Sequence, residues 1–173
     1  MTMLKRNHRS VDEPEFHDPL KNYHPTPPVE DLERALGEGN VARLPITPFA
    51  CVPPTITIEQ AVRKMAQFDV GCLLVVEQQK LVGLFTQRDL LDKVAQQYEQ
   101  MKERSIADVM TTHPVFVRDT DDPAKAINLM AVGGFRHIPV LDVDDHVVGL
   151  LGPRRITAYL RQYFPVASPT LPA

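Results

Sequence analysis

The chain carries one βαββα unit written twice, and no other feature narrows its fold so far. Residues 61–65 (AVRKM) align with residues 126–130 (AINLM), 65 positions later. At the same offset Cys72–Val76 (CLLVV) falls on His137–Leu141 (HIPVL). A polar turn then takes one extra residue, Glu77–Lys80 against Asp142–His146. Beyond it Gly83–Leu90 (GLFTQRDL) falls on Gly149–Ile156 (GLLGPRRI), 66 positions later. So long a period, met only twice, is not that of a solenoid array. It predicts an α+β fold: two homologous half-domains packed on each other, with sites where they meet.

Composition mainly excludes. A length of 173 residues suits one domain or a tight pair. A formal net charge of −3 argues against general nucleic-acid binding while leaving room for a local basic site. Cys51 and Cys72 each sit in an apolar run, which reads as two buried thiols in a reducing compartment. No Cys/His metal spacing and no HExxH pairing occurs, so no metal site is expected. No apolar run approaches the ~20 residues of a membrane span. Lys5, Arg6 and Arg9 are followed by Asp12, Glu13 and Glu15 rather than by an apolar core or a basic amphipathic stretch. Neither a secretory signal nor a transit peptide is therefore expected, and the cytoplasm is the default.

Along the chain, residues 1–43 read as an N-terminal arm, polar and proline-bearing to about residue 27 and partly disordered. Within it VEDLERAL (29–36) suits a short helix stopped by Gly37. The first repeat spans 44–104. It holds a strand at Phe49–Val52, a helix capped by Thr57 and running to Phe68, and a buried strand at Cys72–Val76. A hairpin leads to Leu81–Phe85, and Thr86 opens a long helix with Leu90, Leu91, Val94, Ala95, Tyr98 and Met101 on its apolar side. The second repeat, 105–164, begins with a turn at Ser105 and repeats the order. Strand Val115–Val117 leads to a helix capped by Asp122 with Pro123 at its first position, ended by Gly133 and Gly134. Strands Ile138–Leu141 and Val147–Leu151 follow, then a helix from about Pro153 to Tyr163. Pro139 places its strand near an edge or an opening. Residues 165–173 read as a loose tail.

Three stretches could carry chemistry. Thr86 and Asp89 stand where a strand becomes a helix. There a hydroxyl could meet a phosphate, and a carboxylate one turn on could accept the two hydroxyls of a ribose. The same spacing is that of a capping box, in which the two residues only satisfy helix amides. The matching segment offers Gly152, Arg154 and Arg155 instead. Cations in a first helical turn oppose the macrodipole, each costing on the order of 0.3–1 kcal/mol. Either a carboxylate such as Asp142 or Asp145, or a ligand phosphate, would offset that. Arg136 and His137 enter a buried strand beside two glycines, where they suit an anion or a half-exposed edge. No nucleophile–base pair, metal set or P-loop is visible, so an enzyme has no support.

Taken together, Thr57–Leu91 and Asp122–Ile156, with the endings GLFTQRD (83–89) and GLLGPRR (149–155) and the stretch RHIPV (136–140), resemble the cystathionine-β-synthase-type (CBS) domain family. Their pairing resembles the tandem arrangement called a Bateman module, over about residues 44–164. The resemblance implies a disc with pseudo-twofold symmetry and two clefts that commonly hold AMP, ADP, ATP or S-adenosylmethionine. It implies that Thr86 and Asp89 contact phosphate and ribose, that Val115 borders the base, and that Arg136, His137 and Arg154 face the phosphates. Gly152 and Arg155 depart from the family's pattern, so at most one ordinary nucleotide site per chain is expected.

Two functions follow. One is a regulatory module that senses an adenosine compound and signals through a homodimer or a separate effector protein. The other is a ligand-free dimerisation scaffold in which Thr86 and Asp89 are only a helix cap. Neither needs a membrane or a nucleic acid.

Overall fold

The computed structural model describes residues 30–164. The expectations for residues 1–29 and for the tail 165–173 lie outside them. Helix α1 (Glu30–Gly37) leads through a 3-10 turn (Val41–Arg43) to the first βαββα unit. That unit comprises β1 (Cys51–Val52), α2 (Ile58–Phe68), β2 (Cys72–Glu77), β3 (Lys80–Thr86) and α3 (Gln87–Asp89). A π turn (Leu90–Val94), a 3-10 turn (Ala95–Gln97) and α4 (Tyr98–Met101) close it. After a 3-10 turn at Ile106–Asp108 come β4 (Thr111–Thr112), β5 (Val117–Arg118), α5 (Pro123–Gly133), β6 (Ile138–Leu141), β7 (Val147–Leu151) and α6 (Pro153–Leu160).

The strands form two sheets, ordered β1-β2-β3-β4 and β5-β6-β7. In each, a parallel pair precedes an antiparallel hairpin: β1 with β2 and β2 with β3, then β5 with β6 and β6 with β7. The hairpins carry a register shift at matching places, Val75/Val76 and Val140/Leu141. Both main helices start on side-chain caps. Thr57 and Gln60 form a reciprocal capping box on α2, while the Asp122 carboxylate accepts from the Lys125 amide on α5, with Pro123 at the helix start. Each helix stops at a left-handed residue, Asp69 (φ 51°) and Gly134 (φ 69°).

The cores interlock. Ile58, Met65, Leu73 and Phe85 of the first repeat bury Ile106 and Val109, which precede the second sheet. Val117, Ile138, Leu151 and Ile156 of the second bury Val41 and Leu44, which precede the first. Backbone bonding follows the same exchange. The Ile106 amide donates to the Ile56 carbonyl (3.0 Å), and the Val41 amide to the Asp121 carbonyl (2.8 Å). β4 completes the first sheet on β3, and the Leu150 amide of β7 donates to the Ile46 carbonyl (2.9 Å). A third apolar cluster joins the two sheets: Cys72, Leu74 and Leu84 against Phe49, Val147 and Leu150.

Several residues depart from the sequence pattern. Phe68 is 52% exposed because α2 ends there; Val70 packs on the core, and the Lys64 ammonium lies 5.9 Å from the Phe68 ring centre. The long helix after Thr86 is broken, with Val94 (φ −122°) and Gln97 (φ −128°) off helical geometry. Across the break Leu90, Val94, Tyr98 and Met101, spaced four, four and three, still face the core, while Leu91 and Ala95 are exposed. Pro139 is buried in the middle strand of its sheet, not near an edge. The parallel ladder with β5 starts one residue later, at Val140, because Pro139 has no amide to donate; at the matching place in the first repeat the Leu74 amide donates to the Ala50 carbonyl (2.9 Å). Cys72 is buried as expected, but Cys51 lies exposed on the edge strand β1.

The close approach of each entering segment to a hairpin strand depends on glycine. A Cβ on Gly149 would stand 2.5 Å from Ile46 Cβ, whereas one on Gly83 would chiefly meet the thioether of Met110 at 2.6 Å. A methionine end can swing away; a Cβ cannot move without its backbone. Gly149→Ala is therefore expected to lower stability by about 1–3 kcal/mol, and Gly83→Ala by less, read from urea midpoints at constant slope.

Candidate functional site

A cavity of about 900 Å³ opens where the repeats meet. One wall is the start of α6, Gly152 to Arg155; another is Arg136 and His137 at the mouth of β6. Opposite lie the end of α2 with Asp69, the entry to β2 at Gly71 and Cys72, and Gln87 and Leu90. Pro48 and Phe49 border the floor. The volume lies in the range of small-molecule sites, about 300–1,000 Å³.

The charge of this cavity is positive. Arg136 and Arg154 take part in none of the ion pairs found among the described residues. Asp142 and Asp145, the acids that could have balanced the α6 arginines, are engaged elsewhere. Asp145 pairs with Arg118 at 2.7 Å, and Asp142 accepts from the amides of Asp144 (2.9 Å) and His146 (2.8 Å) and from the His146 ring. That arrangement makes Asp142, Asp144 and His146 a turn tied by its own backbone. Burial, and then the Arg136 charge, hold the His137 imidazole below its usual pKa.

Arg155 has a separate job. Its guanidinium donates to the carbonyls of Leu150 (2.9 Å), Pro45 (3.1 Å) and Pro48, fastening the segment before β1 to β7 and α6. Five fixed donors suit it to several carbonyls at once.

Thr86, Asp89 and Val115 do not line this cavity. Thr86 and Asp89 form a closed capping box: the Thr86 amide (2.9 Å) and hydroxyl (2.6 Å) donate to Asp89 Oδ2, and the Asp89 amide donates to the Thr86 hydroxyl (3.2 Å). Lys93 (2.6 Å) and Thr111 (3.2 Å) donate to Oδ1. Gln87, two residues before Asp89, and Leu90, the residue after it, do line the cavity. Val115 precedes β5 and is 38% exposed. The sequence reading missed Lys93. Its signal was the Asp89–Lys93 spacing of four in a helical stretch.

Comparison with known proteins adds the relationship. A family model described as "CBS domain" matches residues 25–96 and 106–162. The chain belongs to the CBS domain family. CBSCBSPB1, a CBS domain-containing protein of Arabidopsis thaliana, is 34% identical over 116 residues, 66% of this chain and 21% of that protein. The chain spans about a fifth of the length of the curated relatives it matches first. CBSX2 of Arabidopsis thaliana, solved in complex with AMP, matches with a TM-score of 0.62 and 25% identity, over 71% of this chain and 96% of that one. A CBS domain protein of Pyrobaculum aerophilum, PAE2072, complexed with AMP, shares the fold with a TM-score of 0.61 and 24% identity, over 71% of this chain and 98% of that one. The two sheets with their helices are thus a pair of CBS repeats in one Bateman module. No helix among the described residues is long and apolar enough to cross a membrane.

Burial raises the pKa of Asp89, but the hydrogen bonds from Lys93 and Thr86 outweigh it and hold the carboxyl below its ordinary value. A depressed carboxylate contributes stability that is full above its unfolded pKa of about 3.9 and is lost as pH falls through the folded value. Unfolding free energy measured from pH 6 down to pH 2 is therefore expected to fall more steeply for the wild type than for Asp89→Asn.

Proposed function

We propose that the chain is a regulatory ligand-binding module that senses an adenosine compound in the cleft between its repeats. AMP, ADP, ATP and S-adenosylmethionine are the candidates. In this reading Arg136, His137 and Arg154 meet the phosphates, Thr86 assists there, Asp89 takes the ribose hydroxyls and Val115 borders the base. The observation that carries it is the convergence of Arg136, Arg154 and the His137 imidazole on one inter-repeat cavity, with both guanidiniums outside any ion pair among the described residues. The AMP complexes of CBSX2 and PAE2072 support the ligand class.

The output is proposed to pass through a homodimer or a separate effector protein. Phe68, Leu91 and Val132 leave apolar surface exposed, 52%, 67% and 83% respectively, which a second copy could cover. A second reading, a ligand-free scaffold with no catalytic role, is favoured by one fact: the Thr86–Asp89 capping box is complete without a ligand. The cytoplasm remains the proposed compartment.

Melting temperatures separate the two readings, because a compound that binds only the folded state must raise stability. A sensor is expected to show a rise with at least one adenosine compound at millimolar concentration; a scaffold shows none. Asp89→Ala is expected to weaken binding by about tenfold to a hundredfold in calorimetry, from lost charge-assisted hydrogen bonds of about 1.5–3 kcal/mol. A phosphate beside His137 would raise its depressed pKa, so binding takes up a proton. Affinity is expected to climb as pH falls from about 8 to about 6, more strongly in the wild type than in His137→Gln, which retains only the ligand's own titration.

A further inference from the structure

Among the described residues, Asp89 is the one charged side chain that is buried, at 6% exposure. A carboxylate offers about four lone-pair positions, and internal donors fill them. Thr86 gives two bonds to Oδ2, from its amide and its hydroxyl. The amide bond belongs to the cap of α3 and cannot leave without undoing it, and the hydroxyl that gives the other also accepts from the Asp89 amide in that cap. The two on Oδ1 come from elsewhere: the Lys93 ammonium at 2.6 Å and the Thr111 hydroxyl at 3.2 Å. Lys93 differs from the rest of this network in being 43% exposed. Its flexible four-carbon stem and three rotatable donors let it move into water. The same ammonium donates to the Val109 carbonyl at 2.7 Å.

We propose that Lys93 is a displaceable counter-ion that sets the affinity of Asp89 for a vicinal diol and reports occupancy to the segment Val109–Thr111. The inference rests on the sensor reading above. A diol that reaches Asp89 from the side of Lys93 and Thr111 takes the positions on Oδ1, since the Thr86 amide on Oδ2 holds the helix. It therefore expels Lys93 and releases Thr111. Both changes act on one segment: Val109 is seated in the first core, and Thr111 pairs with Leu84 of β3. This segment joins the two repeats, so the ligand favours a state in which their connection is altered. Such differential favour is what any ligand-driven change requires. The corresponding position of the second repeat is Tyr159, and Asp89 corresponds there to Arg155, which is committed to backbone carbonyls. The device is confined to the first repeat.

The test is calorimetry of AMP, ATP and S-adenosylmethionine with the full chain, as wild type, Lys93→Gln and Lys93→Arg, beside melting temperatures of the free proteins. Lys93→Met, which keeps the stem, replaces the glutamine variant if that one does not fold. The expected result is a split: Lys93→Gln melts lower than the wild type yet binds about tenfold tighter, while Lys93→Arg stays close to the wild type. Amide hydrogen exchange at Val109–Thr111 is expected to quicken on ligand addition in the wild type and to be quick in Lys93→Gln without ligand. Wild-type binding with equal affinity in Lys93→Gln would make Lys93 a structural tie only. Weaker binding in that variant would make it a ligand contact. Either overturns the displacement proposal and leaves the sensor reading standing. No binding of any of the three compounds, by wild type or variant, overturns the sensor reading itself and the displacement with it.

Discussion

Each sheet is completed by chain that precedes the other repeat, and most of the architecture depends on that exchange. Val41, Leu44 and Ile46 serve the second core; Ile106, Val109 and Met110 serve the first. A half of three strands and two helices buries too little to stand comfortably alone. The exchange supplies each half with apolar residues, and the shared cluster around Leu74, Leu84 and Leu150 joins the two outer faces. The hairpin tips also meet: Lys80 and His146 form a bridge, and the Lys80 ammonium reaches the Asp144 carbonyl. The cleft exists because two separate cores are held at a fixed distance by crossing segments.

On this near-symmetric frame the two strand-to-helix junctions have opposite electrostatics. At the first, an acid is buried and donors are gathered to it: an amide, two hydroxyls and an ammonium. At the second, a guanidinium stands at the matching position and carbonyls are gathered to it. Both ions are satisfied, so both brace the frame. What differs is the residual charge beside them. Arg154 and Arg136 remain unpaired among the described residues, and the cavity at the second junction is left positive.

Much of the fold was legible because it rests on local rules. The repeat fixed two similar sheets, and the caps Thr57, Asp122 and Gly134 act where the sequence placed them. What escaped depends on distant partners. Nothing local says that Leu44 packs with Ile138, or that the helix after Thr86 is interrupted at Val94 and Gln97. Pro139 pointed to an edge or an opening: its strand is central rather than an edge, but the entry to that strand, Arg136 and His137, borders the cavity. At the site, Arg136, His137 and Arg154 were legible as candidate anion contacts, and the fold gathers them while Asp142 and Asp145 are engaged elsewhere. The occupation of Asp89 was harder to see. Its i,i+4 lysine was visible, but Thr111 comes to it only through the crossing of the linker.

That crossing has a consequence for the order in which the molecule can be made. A ribosome releases the chain from its N-terminal end, and domains generally fold as they emerge. Here the segment around Pro45 emerges early, while Arg155, which fastens it, lies 110 positions later. The first sheet, in turn, lacks its fourth strand until Thr111 and Thr112 have appeared. Closing contacts so far apart in sequence is slow compared with forming a helix or a hairpin. Val41 and Leu44 therefore have no complete set of partners until the chain has reached Leu151 and Ile156. The second repeat closes over a segment that stands before the first.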